Sequence, residues 1–316
     1  MTTVMYESGG MHFDGEQGFS AAGRQHVAVM AEEVGRLVRA CKPILIVDAT
    51  VGTGGHAERM LEETGAHLLG LDRDDAALRG AAERLARFGS RVTLQQADFR
   101  DLDLMLDRSG SPTAGAIVAD LGMSSFALDD PERGFSFGAD GPLDMRMDRR
   151  QKLRAYDIVN EESEEEIARI LRDFGEERAA RQIARAIVAA RHRHPLQTTG
   201  ELATVIASAV GGRRFGRINP ATRAFQALRI AVNRELESLA VLLEKAPLRL
   251  AAGGRLVMLA YHSLEDRPVK QRFRELTKTA EFIAISRKAM RPDAEETANN
   301  RRARSARLRC IERQAH

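Results

Sequence analysis

Residues 44–56, Ile-Leu-Ile-Val-Asp-Ala-Thr-Val-Gly-Thr-Gly-Gly-His, constrain the fold more than any other stretch of the chain. The apolar run Ile44–Val47 ends on Asp48, and Gly52, Gly54 and Gly55 follow close behind. A strand that is apolar on both faces needs cover on both, as in a parallel sheet. Glycines let the backbone turn tightly and approach a ligand. Ala57–Leu61 then predicts the start of a helix, whose N-terminus favours polar or anionic groups. Strand, glycine turn and helix in this order predict the nucleotide-cofactor corner of a doubly wound α/β sheet.

The rest of the first third repeats the pattern. Residues 66–72, 91–98 and 115–120 read as strands ending on Asp72, Asp98 and Asp120, with a helix over 75–88. Strands alternating with helices imply a parallel sheet with right-handed crossovers. Ligands of such sheets bind outside the carboxyl ends of the strands, which is a reason for acids to collect there.

The length of 316 residues suits about two domains. From 126 to 215 no strand is predicted. Residues 126–150 read as a long ordered loop, and helices follow. Ser163 with Glu166 and Thr198 with Glu201 form capping boxes, Ile183, Ile187 and Val188 make an apolar stripe, and Gly175 reads as a C-cap. The expected organisation is therefore a flexible tail over 1–22, a discontinuous core over 23–125 and 216–316, and an all-helical insertion over 126–215. Asn219 and Pro220 predict a helix start. Its face is Phe225, Leu228, Val232, Leu236, Leu239 and Leu243, and Pro247 with Ala252-Gly253-Gly254 should end it. Arg255–Ala260 reads as a fifth strand with Tyr261–Arg267 at its carboxyl end. Phe282–Ser286 and Leu308–Glu312 could close a terminal hairpin.

Composition narrows the class. No run of about 18 apolar residues predicts a membrane span. The N-terminus lacks a basic start followed by an apolar block, so no secretory signal is expected. Two cysteines, Cys41 and Cys310, point to a reducing cytoplasm and exclude a cysteine-ligated zinc site built from one chain; no metal site is expected. The net charge is only +3, but Arg287–Arg313 holds nine Arg/Lys against four Asp/Glu. A second basic stretch carries arginines at 178, 181, 185, 191 and 193 with His192 and His194. Such stretches are either a polyanion footprint or solvated faces. The sequence sets no oligomeric state, a dimer included.

The glycine spacing selects among cofactors. Gly52-x-Gly54-Gly55 misses the G-x-G-x-x-G of NAD sites, and His56-Ala57 is not the Lys-Ser/Thr of a P-loop. A smaller adenosyl cofactor fits better. Asp48 and the glycines would face an amino-acid moiety whose ammonium needs an acceptor. Asp72, twenty residues after Gly52, could bond both ribose hydroxyls, and Ala97-Asp98-Phe99 could frame an adenine. These features match Rossmann-like S-adenosylmethionine methyltransferases. A single acid at a strand end could merely cap the next helix, but four in register argue for a ligand.

The match then becomes specific. His26–Met30, Asp48–His56, Leu71–Asp74 and Asp120-Leu-Gly-Met-Ser-Ser125 resemble the bacterial 16S ribosomal RNA cytosine-N4 methyltransferase family of the MraW type. So do Asp129–Phe137, Asp140–Asp148, Asn219–Asn233, Tyr261-His-Ser-Leu-Glu-Asp266 and Arg302–Arg309. The resemblance spans roughly residues 26–313. It implies a Rossmann-like class I methyltransferase sheet with an inserted all-helical domain, S-adenosylmethionine as cofactor, and the small ribosomal subunit as partner. It implies methylation of a cytidine N4 in the decoding region. Gly54, Gly55, His56, Asp72, Phe99 and Asp120 match the family's methyl-donor positions. One departure is Phe126-Ala127, where many relatives carry Pro-Gln.

No cysteine nucleophile is needed, because the amine can attack the sulfonium methyl directly once aligned. Asp120 either accepts a hydrogen bond from that amine or contacts only the cofactor. Ser124 and Ser125 could fix the base edge. His262 is a candidate proton acceptor, with a structural loop histidine as its rival. Arg133, Arg146, Arg149, Arg223 and the 178–193 arginines are candidates for phosphates. Phe135 or Phe137 could stack on a base, with core packing as their rival reading. Two other functions stay open: methylation of another acceptor, and non-catalytic RNA binding in ribosome assembly.

Overall fold

A computed structural model describes residues 28–123, 125–211 and 219–315, without the side chains of Ser125, Phe126 and Pro220. The expected tail over 1–22, residues His26 and Val27, Ser124, and the expected return to the core at 216 lie outside the described residues.

The chain divides into two compact units, residues 1–122 with 241–316, and residues 123–240. In the first, α1 (Ala31–Ala40), β1 (Leu45–Asp48), α2 (Gly55–Glu63), β2 (His67–Asp72), α3 (Asp75–Leu85), β3 (Val92–Gln96), α4 (Leu102–Arg108) and β4 (Ala114–Asp120) alternate as expected. Asp74 starts α3 by accepting the Ala76 amide at 3.0 Å. This is the favoured N-cap chemistry.

The second unit holds α5 (Ser125–Asp129), α6 (Ala155–Glu161), α7 (Glu164–Gly175), α8 (Ala180–Arg191), α9 (Thr199–Ala209) and α10 (Pro220–Asn233). The chain continues through α11 (Glu235–Lys245), β5 (Leu250–Ala260), α12 (Ser263–Leu276), β6 (Phe282–Ala284), α13 (Ala294–Asn299) and β7 (Arg307–Arg313).

The seven strands lie in the order β3-β2-β1-β4-β5-β7-β6. β1 to β5 pair in parallel, and β7 runs antiparallel to both β5 and β6, the expected terminal hairpin included. The chain moves outward from β1 to β3 and then returns to place β4 on the other side of β1. That reversal puts the topological switch point between β1 and β4, where open α/β sheets bind ligands. Ile46, Leu68, Val118, Val257 and Leu259 meet Val34, Val38, Met60 and Leu61 in one buried core. The arrangement is the Rossmann-like methyltransferase sheet.

Several local expectations are corrected. Gly175 is not a cap: it ends α7, and Glu176 takes the left-handed position at φ 48°. An added Cβ on Gly175 would sit 2.7 Å from the Arg223 carbonyl, so this glycine admits α10 against α7. The long amphipathic helix is two helices, broken at Arg234, which is left-handed at φ 49°. The second unit runs to Ala240, so α10, expected in the core, packs among the other helices. β5 begins at Leu250, not Arg255, and Gly253 (φ 73°) lies inside it where the register to β4 shifts. The loop expected over 126–150 begins with α5. It is then tied down by buried Asn233, whose side chain accepts the Met147 amide and donates to the Met145 carbonyl, both at 2.8 Å. No described helix is long and apolar enough to cross a membrane.

Candidate functional site

The carboxyl ends of β1 and β4 carry the site. After Asp48 the chain is stitched to both neighbouring strands: the Ala49 amide donates to Val118 and the Val51 amide to Leu71, each at 2.8 Å. Thr50 closes the seam by accepting the Asp120 amide on its Oγ1 at 2.7 Å. Gly52 (φ 52°) and Gly54 (φ 85°) then turn the backbone into α2. A side chain at Gly55 would meet the Ala28 Cβ at 3.1 Å, so the approach there is close.

Asp48 is 1% exposed. Its Oδ1 accepts the Thr50 amide at 3.2 Å, and its Oδ2 has no hydrogen-bond partner among the protein's groups. Burial pushes this carboxyl up to about 7, against the pull of His56 and the Thr50 amide. His56, also buried, sets its Nε2 3.4 Å from Asp120 Oδ2 as a charge contact. Burial opposes the imidazolium, but Asp120, Asp48 and Glu296 outweigh it and raise the histidine. Asp120 Oδ1 is likewise buried and without a partner.

Two residues that sequence reasoning missed complete this corner. Tyr261 follows β5, and an added Cβ on Gly122 would come within 2.7 Å of its ring, so that glycine makes room for the phenol. Burial, then the neighbouring Asp120 carboxylate, hold the phenol far above its ordinary range. Glu296 of α13 accepts the Met30 amide at 2.6 Å, and its charge acts on both His56 and Tyr261. Tyr261 could have been found as the residue closing the fifth strand. Glu296 carries no local signal, because its partner lies 266 residues away.

On the other side of β1 the acids are already engaged. Asp72 accepts the Gly52 amide on Oδ2 and the Asp74 amide on Oδ1, both at 2.9 Å. Burial raises its carboxyl while these two amides pull it down. Asp98 accepts the Arg100 amide at 3.0 Å and pairs with the Arg73 guanidinium at 3.0 Å. Arg73 also lies over the Phe99 ring, 5.5 Å from its centroid.

His262 has a carboxylate of its own. As the residue before α12, it places Nε2 3.0 Å from Glu265 Oε1, while Glu265 Oε2 accepts the Tyr261 amide at 2.8 Å. Ser124 and the Ser125 side chain lie outside the described residues.

Within the second unit, the candidate RNA residues divide. Arg133 is 2% exposed and donates from Nη2 to the carbonyls of Arg146 and Met147 at 2.9 and 3.1 Å. Phe135 is buried, with the Arg133 guanidinium near its ring. Phe137 packs edge-on against Phe225 at 4.9 Å. Arg146 clasps Asp144 through two bonds, at 2.9 and 2.7 Å, and reaches the Gln151 carbonyl. All four make contacts within the helical unit, local ones for Arg146 and for Phe135 with Arg133, more distant ones for Arg133 with Met147 and for Phe137 with Phe225. Arg149 and Arg223 are exposed. Of the 178–193 arginines, Arg191 is stapled to the Val159 and Glu162 carbonyls.

The chain belongs to the MraW methylase family, whose profile matches residues 23–314. It is an S-adenosylmethionine-dependent methyltransferase. The ribosomal RNA small subunit methyltransferase H of Syntrophotalea carbinolica is 47% identical over 307 residues, covering 92% of this chain and 98% of that protein. The protein of the same name from Sorangium cellulosum is 44% identical over 291 residues, covering 92% and 91%. That from Anaeromyxobacter dehalogenans is 45% identical over 306 residues, covering 92% and 98%.

The residues present fit the cofactor. Buried Asp48 Oδ2, Asp120 Oδ1 and the His56 ring nitrogens have no hydrogen-bond partners from the protein. Buried polar atoms in that state mark a place built for a ligand.

Proposed function

We propose that this chain methylates the exocyclic N4 of a cytidine in the decoding region of 16S rRNA, in the cytoplasm, with the small ribosomal subunit as its partner. The observation that carries the reading is the pair of buried carboxylate oxygens without hydrogen-bond partners, Asp48 Oδ2 and Asp120 Oδ1, flanking the switch point of a sheet whose relatives are small-subunit rRNA methyltransferases.

Asp48, Gly52, Gly54, Gly55, His56, Asp72, Phe99 and Asp120 would hold the cofactor. Asp48 would receive its ammonium, Asp72 its ribose hydroxyls and Phe99 its adenine. When bound, S-adenosylmethionine supplies an electrophilic methyl on a sulfonium sulfur.

The N4 lone pair delocalises into the cytosine ring, so the amine is a poor nucleophile. Asp120, by accepting a hydrogen bond from the amine, makes that lone pair more available. The carboxylate also aligns the amine, and alignment is the larger contribution open to a site without covalent catalysis. One N–H proton must leave. Asp120 can take it up or pass it to water. His56 beside it is held toward its charged form by Asp120, Asp48 and Glu296. His262 Nε2 faces Glu265 at 3.0 Å as a charge contact, but neither of its buried ring nitrogens has a hydrogen-bond partner among the protein's groups, so it remains a candidate proton acceptor in addition to Asp120. The base must leave its stack to reach Asp120.

The test is incorporation of tritiated methyl from the donor into undermethylated small subunits, free rRNA and protein, followed by nucleoside analysis. Label in N4-methylcytidine is expected. Label in another nucleoside or in protein would reassign the acceptor, and no label would favour a binding-only factor.

A further inference from the structure

The C-terminal basic excess is used in two different ways. On β7, Arg307 and Arg309 turn inward and pair with buried Asp266 at 2.8 and 2.7 Å. Arg313 donates to the Leu250 carbonyl at 2.7 Å. Before β7 the pattern reverses. Arg287, Lys288, Arg291, Arg301 and Arg304 are all exposed, and among the described residues none of the five has an ion-pair partner. Asp293 and Glu295 are the exposed acids of the same segment, so its cations outnumber them five to two.

This segment is tied down at three points. Met290 and Leu308 exchange backbone hydrogen bonds at 2.9 and 3.0 Å. Asp293 caps α13 by accepting the Glu296 amide at 2.7 Å. Glu296 then accepts the Met30 amide just ahead of α1. A surface ordered in advance loses less entropy on binding than a free tail. The third tie also fixes location, because Glu296 acts electrostatically on His56 and Tyr261. The exposed cations flank α13, the helix whose Glu296 is bonded to the start of α1.

We propose that the segment Arg287–Arg304 is a phosphate-binding surface of the methyltransferase core, on which the RNA backbone is seated beside the target base. The proposal rests on the rRNA reading above and adds to it where the core itself grips the polyanion. The segment suits RNA rather than a lipid surface. Membrane-surface helices need a substantial apolar face. α13, Ala-Glu-Glu-Thr-Ala-Asn, has none. Flexible guanidinium groups in an open array match phosphates without reading sequence, which leaves base choice to the site near Asp120.

The test replaces all five cations by alanine in the full-length protein and measures binding to undermethylated small subunits over a salt series. Each lost phosphate contact removes roughly 0.7–0.9 from the slope of log affinity against log salt. The expected result is a slope lower by about 2–4 and an affinity at least ~10-fold weaker at low salt. Methyl-donor affinity by calorimetry should stay unchanged, which also shows that the core remains folded. The matching variant with the four arginines changed to lysine should keep the slope. An unchanged slope and unchanged RNA KM in the alanine variant would overturn the proposal. So would loss of binding to phosphatidylserine vesicles with RNA binding intact, since that would assign the surface to lipid. Wild-type protein that binds no small subunit at all would overturn the rRNA reading itself and this surface with it.

Discussion

The two sides of β1 treat the same residue type in opposite ways. Toward β4, Asp48 and Asp120 each keep a buried oxygen without a partner. Toward β2 and β3, Asp72 bonds two backbone amides, and Asp98 bonds an amide and Arg73. A buried carboxylate oxygen with no partner is costly, and a sheet that tolerates two of them side by side keeps them for a ligand. The satisfied acids instead hold the Gly52 turn and the Phe99 turn in shape before anything binds. The sheet edge is thus half reactive and half frame, and the division falls at the switch point. Substitutions on the reactive side should damage binding and turnover while sparing or raising stability. At Asp98, the satisfied acid with no bond assigned to the donor, the reverse is expected.

The largest effect is expected at Asp120. Asp120→Ala should lower the single-turnover methylation rate by about 10²–10⁴-fold, the range for a positioned acid–base group. Thermal stability should change little, since the Asp120 side chain is partly exposed and its Oδ1 has no hydrogen-bond partner to lose. A rate within a few-fold of wild type would mean that Asp120 only lines the cofactor pocket.

Asp48 comes next, and its effect depends on pH. The folded carboxyl titrates near 7 rather than at its ordinary 3.8. Its neutral form is therefore favoured by folding. That contribution is complete below the unfolded value and lost as pH rises through 7, at a cost of about 4 kcal/mol when fully ionised. Asp48→Asn should accordingly stabilise the free protein at pH 8, by roughly 1–3 kcal/mol after relaxation. It should weaken donor binding at that pH by about 10–100-fold, through loss of a charge-assisted bond to the ammonium. In the wild type the ammonium needs the ionised carboxylate, so donor affinity should fall up to ~10-fold per pH unit below 7. Calorimetric titration across pH 6–8 checks both, and pH-independent binding by the wild type would remove Asp48 from the ammonium site.

Much of this division was legible in the residues, and some was not, for physical reasons. Apolar runs ending on acids mark parallel strands, because burial on both faces leaves the carboxyl end as the exit to solvent. Which acids would be satisfied was hidden, since their partners, the Gly52 amide and Arg73, become neighbours only when the turn closes. Gly175 misled because a glycine that ends a helix and one that admits a neighbouring helix look alike in a line of text. Phe135 and Phe137 stay open in the sequence for a similar reason: an aromatic ring suits a base platform and a core equally, and the contacts with Arg133 and Phe225 that favour the core are made only in the folded chain. Glu296 was invisible because its role depends on one hydrogen bond across nearly the whole chain.

Tyr261 lies on the reactive side but touches the chemistry through Asp120, so its effect should be intermediate. Tyr261→Phe keeps the ring that fills the space over Gly122 and removes only the hydroxyl. The single-turnover rate should fall ~3–10-fold, about the net worth of one ordinary hydrogen bond, with the donor KM unchanged. A ring with only a packing role predicts no loss in this variant and a large loss in Tyr261→Ala.

The smallest effect on activity is expected on the frame side, at Asp98. Asp98→Ala leaves the Arg73 guanidinium, only 10% exposed, without its carboxylate, and uncaps the turn that carries Phe99. Breaking one partner out of a buried pair destabilises by roughly 3–5 kcal/mol. The value should fall toward the low end here, because Arg73 can still lie over the Phe99 ring. Donor affinity should drop less than about fivefold, since no bond to the donor is removed and only the wall beside it loosens. The contrast with Asp48→Asn is then a crossing of signs: one variant more stable and poorly binding, the other less stable and still binding. Thermal unfolding and calorimetry on the same two samples measure it. If Asp98→Ala bound the donor as weakly as Asp48→Asn, Asp98 would itself be part of the binding site and not only the support of the Phe99 turn.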